Sequence, residues 1–290
     1  MESNRIRYLD YIKAIACVLV VVQHVALYGY KYSSDGAWIN YWVYNHPNNW
    51  DWIFNVLMLT IAKAAVPLFI MVNGALMLKK ELHVKTIFQK YIWRSIQILI
   101  FWNCISALIT AIDGGSINDI LAVLIYGFNQ FWFIYTLMGL YLVQPILRSI
   151  VSNPSVLKYF VALFCVAVCM NTMVGFLPGR MGMVLQHLTE ETGLNKVVSW
   201  IGYYCTGYYL ETVAPTTPKK ENGSRKIILF IAVFVSAAYA ILKSENSNLF
   251  SLDSIEVFSV STFFISIFIF CAAKKYAYII ERAEKLIAII

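Results

Sequence analysis

The chain has 290 residues, of which 60% are hydrophobic and 13% charged, and it carries a formal charge of +7. A soluble domain is typically about half apolar and a quarter charged; here the surplus apolar residues gather in blocks of roughly 20, the length that crosses a ~30 Å hydrocarbon layer as helix. These totals exclude a soluble globular domain, and the lack of alternating polarity argues against a β-barrel.

Helical spans are expected at about 9–30, 52–78, 92–112, 129–150, 157–177, 196–213, 226–242 and 254–273, eight in all. The fold class is therefore an all-α polytopic membrane bundle, read as one domain over residues 1–290. The first block, RYLDYIKAIACVLVVVQHV, is long and ends without a small-residue cleavage site, so it reads as a retained span and not as a leader. Lys13 and His24 lie on it eleven positions apart; eleven steps of 100° make three turns plus about 20°, so both project from one face. Asp10 falls near the same stripe. With ~1.5 Å rise per residue His24 sits ~16 Å beyond Lys13, past the midplane. An ionisable group at that depth needs a polar cavity or a partner. Two readings stand for His24: a satisfied interhelical hydrogen bond, or proton transfer, which its ordinary pKa suits near neutrality. Lys13 alone reads as a snorkelling interfacial cation.

The second span carries Lys63 too deep to snorkel easily, followed by VPLFIMVNGALML, in which Pro67 can loosen the helix and Asn73-Gly74 lies toward the opposite end. Pairing with an acid such as Glu256 is the structural alternative for Lys63. The third span opens KYIWRSIQ, with Lys90 and Arg94 one turn apart; plain topogenic charge accounts for Lys90, while Arg94 lies further inside. The stretch INDILAVLIY at 117–126 is too short to cross. The fourth span opens FNQFWFIYTLMGLYL, and an aromatic interfacial belt accounts for Trp132. The segment APTTPKKENGSRK at 214–226 is the most linker-like, and the terminal YAYIIERAEKLIAII is amphipathic, an interfacial helix or the approach to a further span.

Loop charges set the orientation. One set of loops holds Arg5, Arg7, Lys79, Lys80, Lys85, Lys90, Arg148, Lys158, Lys219, Lys220, Arg225, Lys226, Lys274, Lys275, Arg282 and Lys285, and the other only Lys31, Arg180, Lys196 and Lys243. Basic loops stay cytoplasmic, so the N-terminus is expected there, and the net charge needs no nucleic acid to explain it. Cys17, Cys104, Cys165, Cys169, Cys205 and Cys271 all sit in apolar blocks without CxxC spacing, which reads as buried thiols and no metal site. Lys13 and His24 on one face, with Lys63 and Arg94 on neighbouring spans, point to a polar cavity with a basic mouth suited to an anionic ligand. No Walker A or GxGxxG loop is present, so a nucleotide would have to bind side chains and helix ends.

In order along the chain, these residues resemble the membrane-bound acyltransferase 3 family, which includes bacterial O-acetyltransferases of cell-surface glycans. RIRYLDYIKAIACVLVVVQH is similar to its first span, with Lys13 and His24 as its basic residue and histidine. AKAAVPLFIMVNGALML, FQKYIWRSIQILIFW, FNQFWFIYTLMGLYLVQPILR and IGYYCTGYYLE resemble later motifs. Tyr91 replaces the first arginine of the family's third-span Arg-x-x-Arg, Asn73 stands where serine is common, and Gln130 where a histidine often precedes the Trp. The family usually has ten spans, so the last one or more are expected to be missing. The resemblance implies acyl-CoA as co-substrate, with no permanently bound cofactor. It implies donor phosphates held by Lys13, Arg94 and Lys90; His24 and Lys63 in the chemistry; and Asp10, Asn73 and Trp132 in support. It further implies a glycan or lipid-linked sugar acceptor, a lipid environment and the bacterial inner membrane. The rival functions are a transporter or channel with a His/Lys relay, and an inactive membrane sensor.

Overall fold

The computed structural model describes residues 6–28, 30–32, 38–40, 50–127, 131–177, 179–191, 194–213, 231, 234 and 257–287. Helices dominate, and the class is all-α. In chain order they are α1 (Arg7–Tyr28), α2 (Trp50–Ala62), α3 (Ala65–Met77), α4 (Val84–Ile112), α5 (Ile117–Tyr126), α6 (Trp132–Val151), α7 (Pro154–Phe176), α8 (Gly179–Glu191), α9 (Leu194–Thr212) and α10 (Val260–Ile287). A small antiparallel ribbon, β1 (Tyr30–Tyr32) with β2 (Trp38–Asn40), follows α1 and pairs Lys31 with Ile39. The sequence reading did not foresee it, although aromatic and β-branched residues flank a Ser-Asp-Gly stretch there.

Six helical segments among the described residues are long and apolar enough to cross a membrane: Arg7–Ala26, Leu57–Met77, Val84–Ile112, Trp132–Val151, Pro154–Val174 and Val260–Ala277. The protein is therefore a multi-pass membrane protein. The expected span at 196–213 is α9, which tyrosines and glycines make less apolar than the six. It needs no lipid-facing surface, because Gly202 to Gly207 are all buried. Of 226–242 only Ile231 and Phe234 are described, so that expected span lies outside the described residues, as does the linker at 214–226. The stretch 117–126 is helical over the expected range. α10 runs on without a break into the amphipathic C-terminal stretch, as far as Ile287.

The chain forms two compact units, residues 1–75 with 158–290, and Leu76–Leu157. In the first, α3 is the central helix. Leu68, Ile70, Met71, Val72 and Ala75 are at most 1% exposed, and burial at three consecutive positions means that neighbours surround it on every side. Small residues permit this. A Cβ on Gly74 would run into the Tyr204 carbonyl, and one on Gly207 into the Met71 carbonyl. α3 and α9 thus meet backbone to backbone at two points, the small-residue crossing that membrane helices use. Around α9, Phe164 and Tyr203 pack edge to face at 5.0 Å, and Phe164 and Phe263 at 5.2 Å. α1 packs against α2 and α10, its Leu9, Ile12 and Ala16 buried and Tyr8 edge-on to Phe270.

The second unit joins α4, α5 and α6. α4 ends at a left-handed Gly114 (φ 79°), and Gly115 donates to the Thr110 carbonyl at 2.9 Å. α5 opens with a capping box between Ser116 and Asp119. α5 then packs on α4, where Asn103 donates to the Leu124 carbonyl at 3.2 Å.

Candidate active site

Asp10, Lys13, His24, Lys63 and Asn73 belong to the first unit, and Lys90, Arg94 and Trp132 to the second. Lys13 Nζ lies 3.2 Å from Asp10 Oδ1, an ion pair one turn apart with both side chains partly exposed. The fully buried positions of α1, Leu9, Ile12 and Ala16, define its inner face. Lys13 and His24 sit together at the margin of that face, as the helical spacing predicts.

His24 is exposed, and its Nδ1 lies 2.8 Å from the Val20 carbonyl oxygen. A carbonyl only accepts, so the contact requires the proton on Nδ1 when the ring is neutral. Nε2 then carries the lone pair and faces away from its own helix. Among the described residues, the ring's hydrogen-bond partner is the backbone of the helix that carries it.

Lys63 occupies the break between α2 and α3. Pro67 has no N–H to give to the Lys63 carbonyl four residues back. The ladder tightens there: Ala64 bonds to Ile61, three residues back, at 3.2 Å, and the normal spacing resumes where Leu68 donates to Ala64 at 3.0 Å. The proline expected to loosen this span interrupts it at the lysine itself. Lys63 is half-buried among fully buried neighbours Thr60, Ala62, Ala64 and Ala65. The alternative pairing with Glu256 lies outside the described residues. Asn73 donates to the Phe69 carbonyl at 3.0 Å, a bond within its own helix.

In the second unit, α4 begins eight residues before the expected start, and its first full turns are π-helical over Ile87–Ile92. Such wide turns recur at functional sites. Lys90 lies within this stretch and Arg94 two residues beyond it, both exposed; Lys90 Nζ is 5.9 Å from the centroid of the Tyr91 ring. Trp132 opens α6 and is exposed.

The sequence reading missed three polar groupings. Gln144 and Arg148 of α6 hold the turn after α3: Gln144 Nε2 donates to the Met77 carbonyl at 3.1 Å and Arg148 Nη1 to the Leu78 carbonyl at 2.7 Å. Lys274 Nζ caps α9 by donating to the Leu210 and Glu211 carbonyls at 2.7 and 3.1 Å. The hydroxyls of buried Ser259 and Thr262 and of half-buried Thr172 close the start of α10. The signal that could have found them was polar residues at helical spacing inside apolar runs, Gln144 and Arg148 above all. Among the described residues no group of His, Cys, Asp and Glu has the arrangement of a metal site.

The model of a family described as an acyltransferase domain matches residues 6–290. No curated protein and no solved structure matches the chain.

Proposed function

The chain belongs to this acyltransferase domain family, and from that premise we propose that it moves an acyl group, acetyl being the first to test, from cytoplasmic acyl-CoA to a hydroxyl of a cell-envelope glycan or glycolipid. The observation that carries the reading is the His24 Nδ1 contact with Val20 at 2.8 Å. It leaves Nε2 as a base. Nε2 takes the proton of the acceptor hydroxyl as that oxygen attacks the thioester carbonyl. Lys63, at the helix break, stabilises the negative charge that develops on the carbonyl oxygen. The tetrahedral centre then collapses, the C–S bond breaks, and the leaving thiolate takes the proton back from the imidazolium. A variant route, in which His24 itself is acylated and then passes the group on, uses the same nitrogen.

Lys13, Lys90 and Arg94 are the cations assigned to the donor's phosphates, with Asp10 orienting Lys13. Asn73 and Trp132 are supporting residues. The distribution of basic residues supports a cytoplasmic N-terminus and a donor entering from that side; the inner membrane of a bacterium is what the family resemblance implies.

Purified protein in lipid, given radiolabelled acyl-CoA and acceptor, tests the chemistry. His24→Ala is expected to lower kcat by at least about a hundredfold, the usual worth of a positioned acid–base group. Undiminished turnover would rule out both routes. Mass spectrometry of envelope glycans from cells with and without the gene identifies the acyl mass and its acceptor.

A further inference from the structure

The segment from residue 79 to residue 94 contains Lys79, Lys80, Lys85, Lys90 and Arg94 against a single acid, Glu81. Topology needs basic residues on one side of the membrane, but it does not need them held in place. Here the backbone around Lys80 and the Tyr91 ring beside Lys90 are held, and from one element. Tyr141, Gln144 and Arg148 of α6 are three and four positions apart and fall within one stripe of that helix.

Each of the three grips the basic segment. Gln144, 1% exposed, donates from Nε2 to the Met77 carbonyl at 3.1 Å and to the Lys80 carbonyl at 3.4 Å. The Lys80 amide donates to Met77 at 3.0 Å, so the backbone of Lys80 is tied on both sides while its side chain stays exposed. Arg148 holds the Leu78 carbonyl at 2.7 Å and lies 3.4 Å from Glu81 Oε1, which occupies the segment's only carboxylate. Tyr141 packs on Tyr91 at 5.4 Å, and Tyr91 lies beneath the Lys90 ammonium.

We propose that this α6 stripe preorganises a phosphate-binding rim in which Lys80 joins Lys90 and Arg94, with Tyr141, Gln144 and Arg148 as positioning residues. The occupant is the phosphate-bearing half of a soluble donor, so the inference rests on the acyl-CoA reading and adds its recognition site. A cation carried on a fixed backbone loses less backbone freedom on binding than one on a mobile segment, which is how positioning becomes affinity.

The full chain in nanodiscs of zwitterionic lipid is titrated calorimetrically with coenzyme A and, separately, with pantetheine, which lacks the phosphates. Lys80→Gln, an exposed change that leaves the fold intact, is expected to weaken coenzyme A by roughly tenfold and pantetheine not at all. Arg148→Gln shows the same selective loss, and Arg148→Lys, which keeps the charge for Glu81, recovers part of it. A general structural role would move both ligands together, and that result overturns the proposal. So does wild-type affinity in Lys80→Gln, or phosphatidylglycerol retained by the wild type in place of coenzyme A. If coenzyme A binding is lost selectively while the wild type transfers no acyl group, the rim stands and the acyl-transfer reading falls.

Discussion

At the scale of single residues, environment rather than residue type separates structural from chemical roles. His24 is exposed and bonded to its own helix backbone, so His24→Ala should remove activity while changing stability by no more than about 0.5 kcal/mol. Gly74 is the opposite case. Its missing Cβ is the space taken by the Tyr204 carbonyl, which belongs to backbone and cannot swing aside. Gly74→Ala should cost about 1–3 kcal/mol through forced separation of α3 and α9. Gly139, on the exposed surface of α6 with nothing within 4 Å of where a methyl would sit, is the matched control. Gly139→Ala should stabilise by up to about 1 kcal/mol through helix propensity alone. Thermal unfolding in detergent compares the pair.

At the scale of elements, the ladder break at Lys63 follows from the proline four residues on. Pro67→Ala restores an N–H to the Lys63 carbonyl, joins α2 to α3, and turns Lys63 relative to its surroundings. Transfer activity should fall at least about tenfold while thermal stability holds or rises, the separation expected of a strained functional device. The capping box of α5 behaves differently. The Ser116 hydroxyl, 2.6 Å from Asp119 Oδ2, and the Ser116 amide at 3.0 Å hold the Asp119 carboxyl below its ordinary pKa. A depressed folded pKa means that the stabilisation is present at neutral pH and is lost as pH falls from the ordinary carboxylate value through the depressed one. The protection of residues 117–126 against hydrogen exchange, taken relative to the intrinsic rate at each pH, should therefore fall on acidification into that range. In Asp119→Asn, which has no carboxylate to titrate, the protection should already be lower at neutrality and lack the acid-dependent step.

At the scale of the whole molecule, the basic loops predict the sidedness, and impermeant thiol labelling checks it. Lys80→Cys, exposed in the turn after α3, should react only after the membrane is opened, and Arg180→Cys of α8 in intact spheroplasts; the reverse pattern would invert the proposed topology. Composition and block length by themselves determined that this chain is a helical membrane protein, because lipid leaves a backbone no other way to satisfy its hydrogen bonds within a single segment. Helical spacing alone also put Lys13 and His24 on one stripe, since period depends on the backbone and not on neighbours. The tertiary structure decided what spacing cannot reach. It set the burial of α9 despite its tyrosines, the contact of Gly74 with a carbonyl more than a hundred residues away, and the grip of Gln144 and Arg148 on a turn in another part of the sequence. Such contacts depend on which helices pack side by side, and in a bundle of similar apolar segments the hydrophobic pattern marks each helix without naming its neighbour.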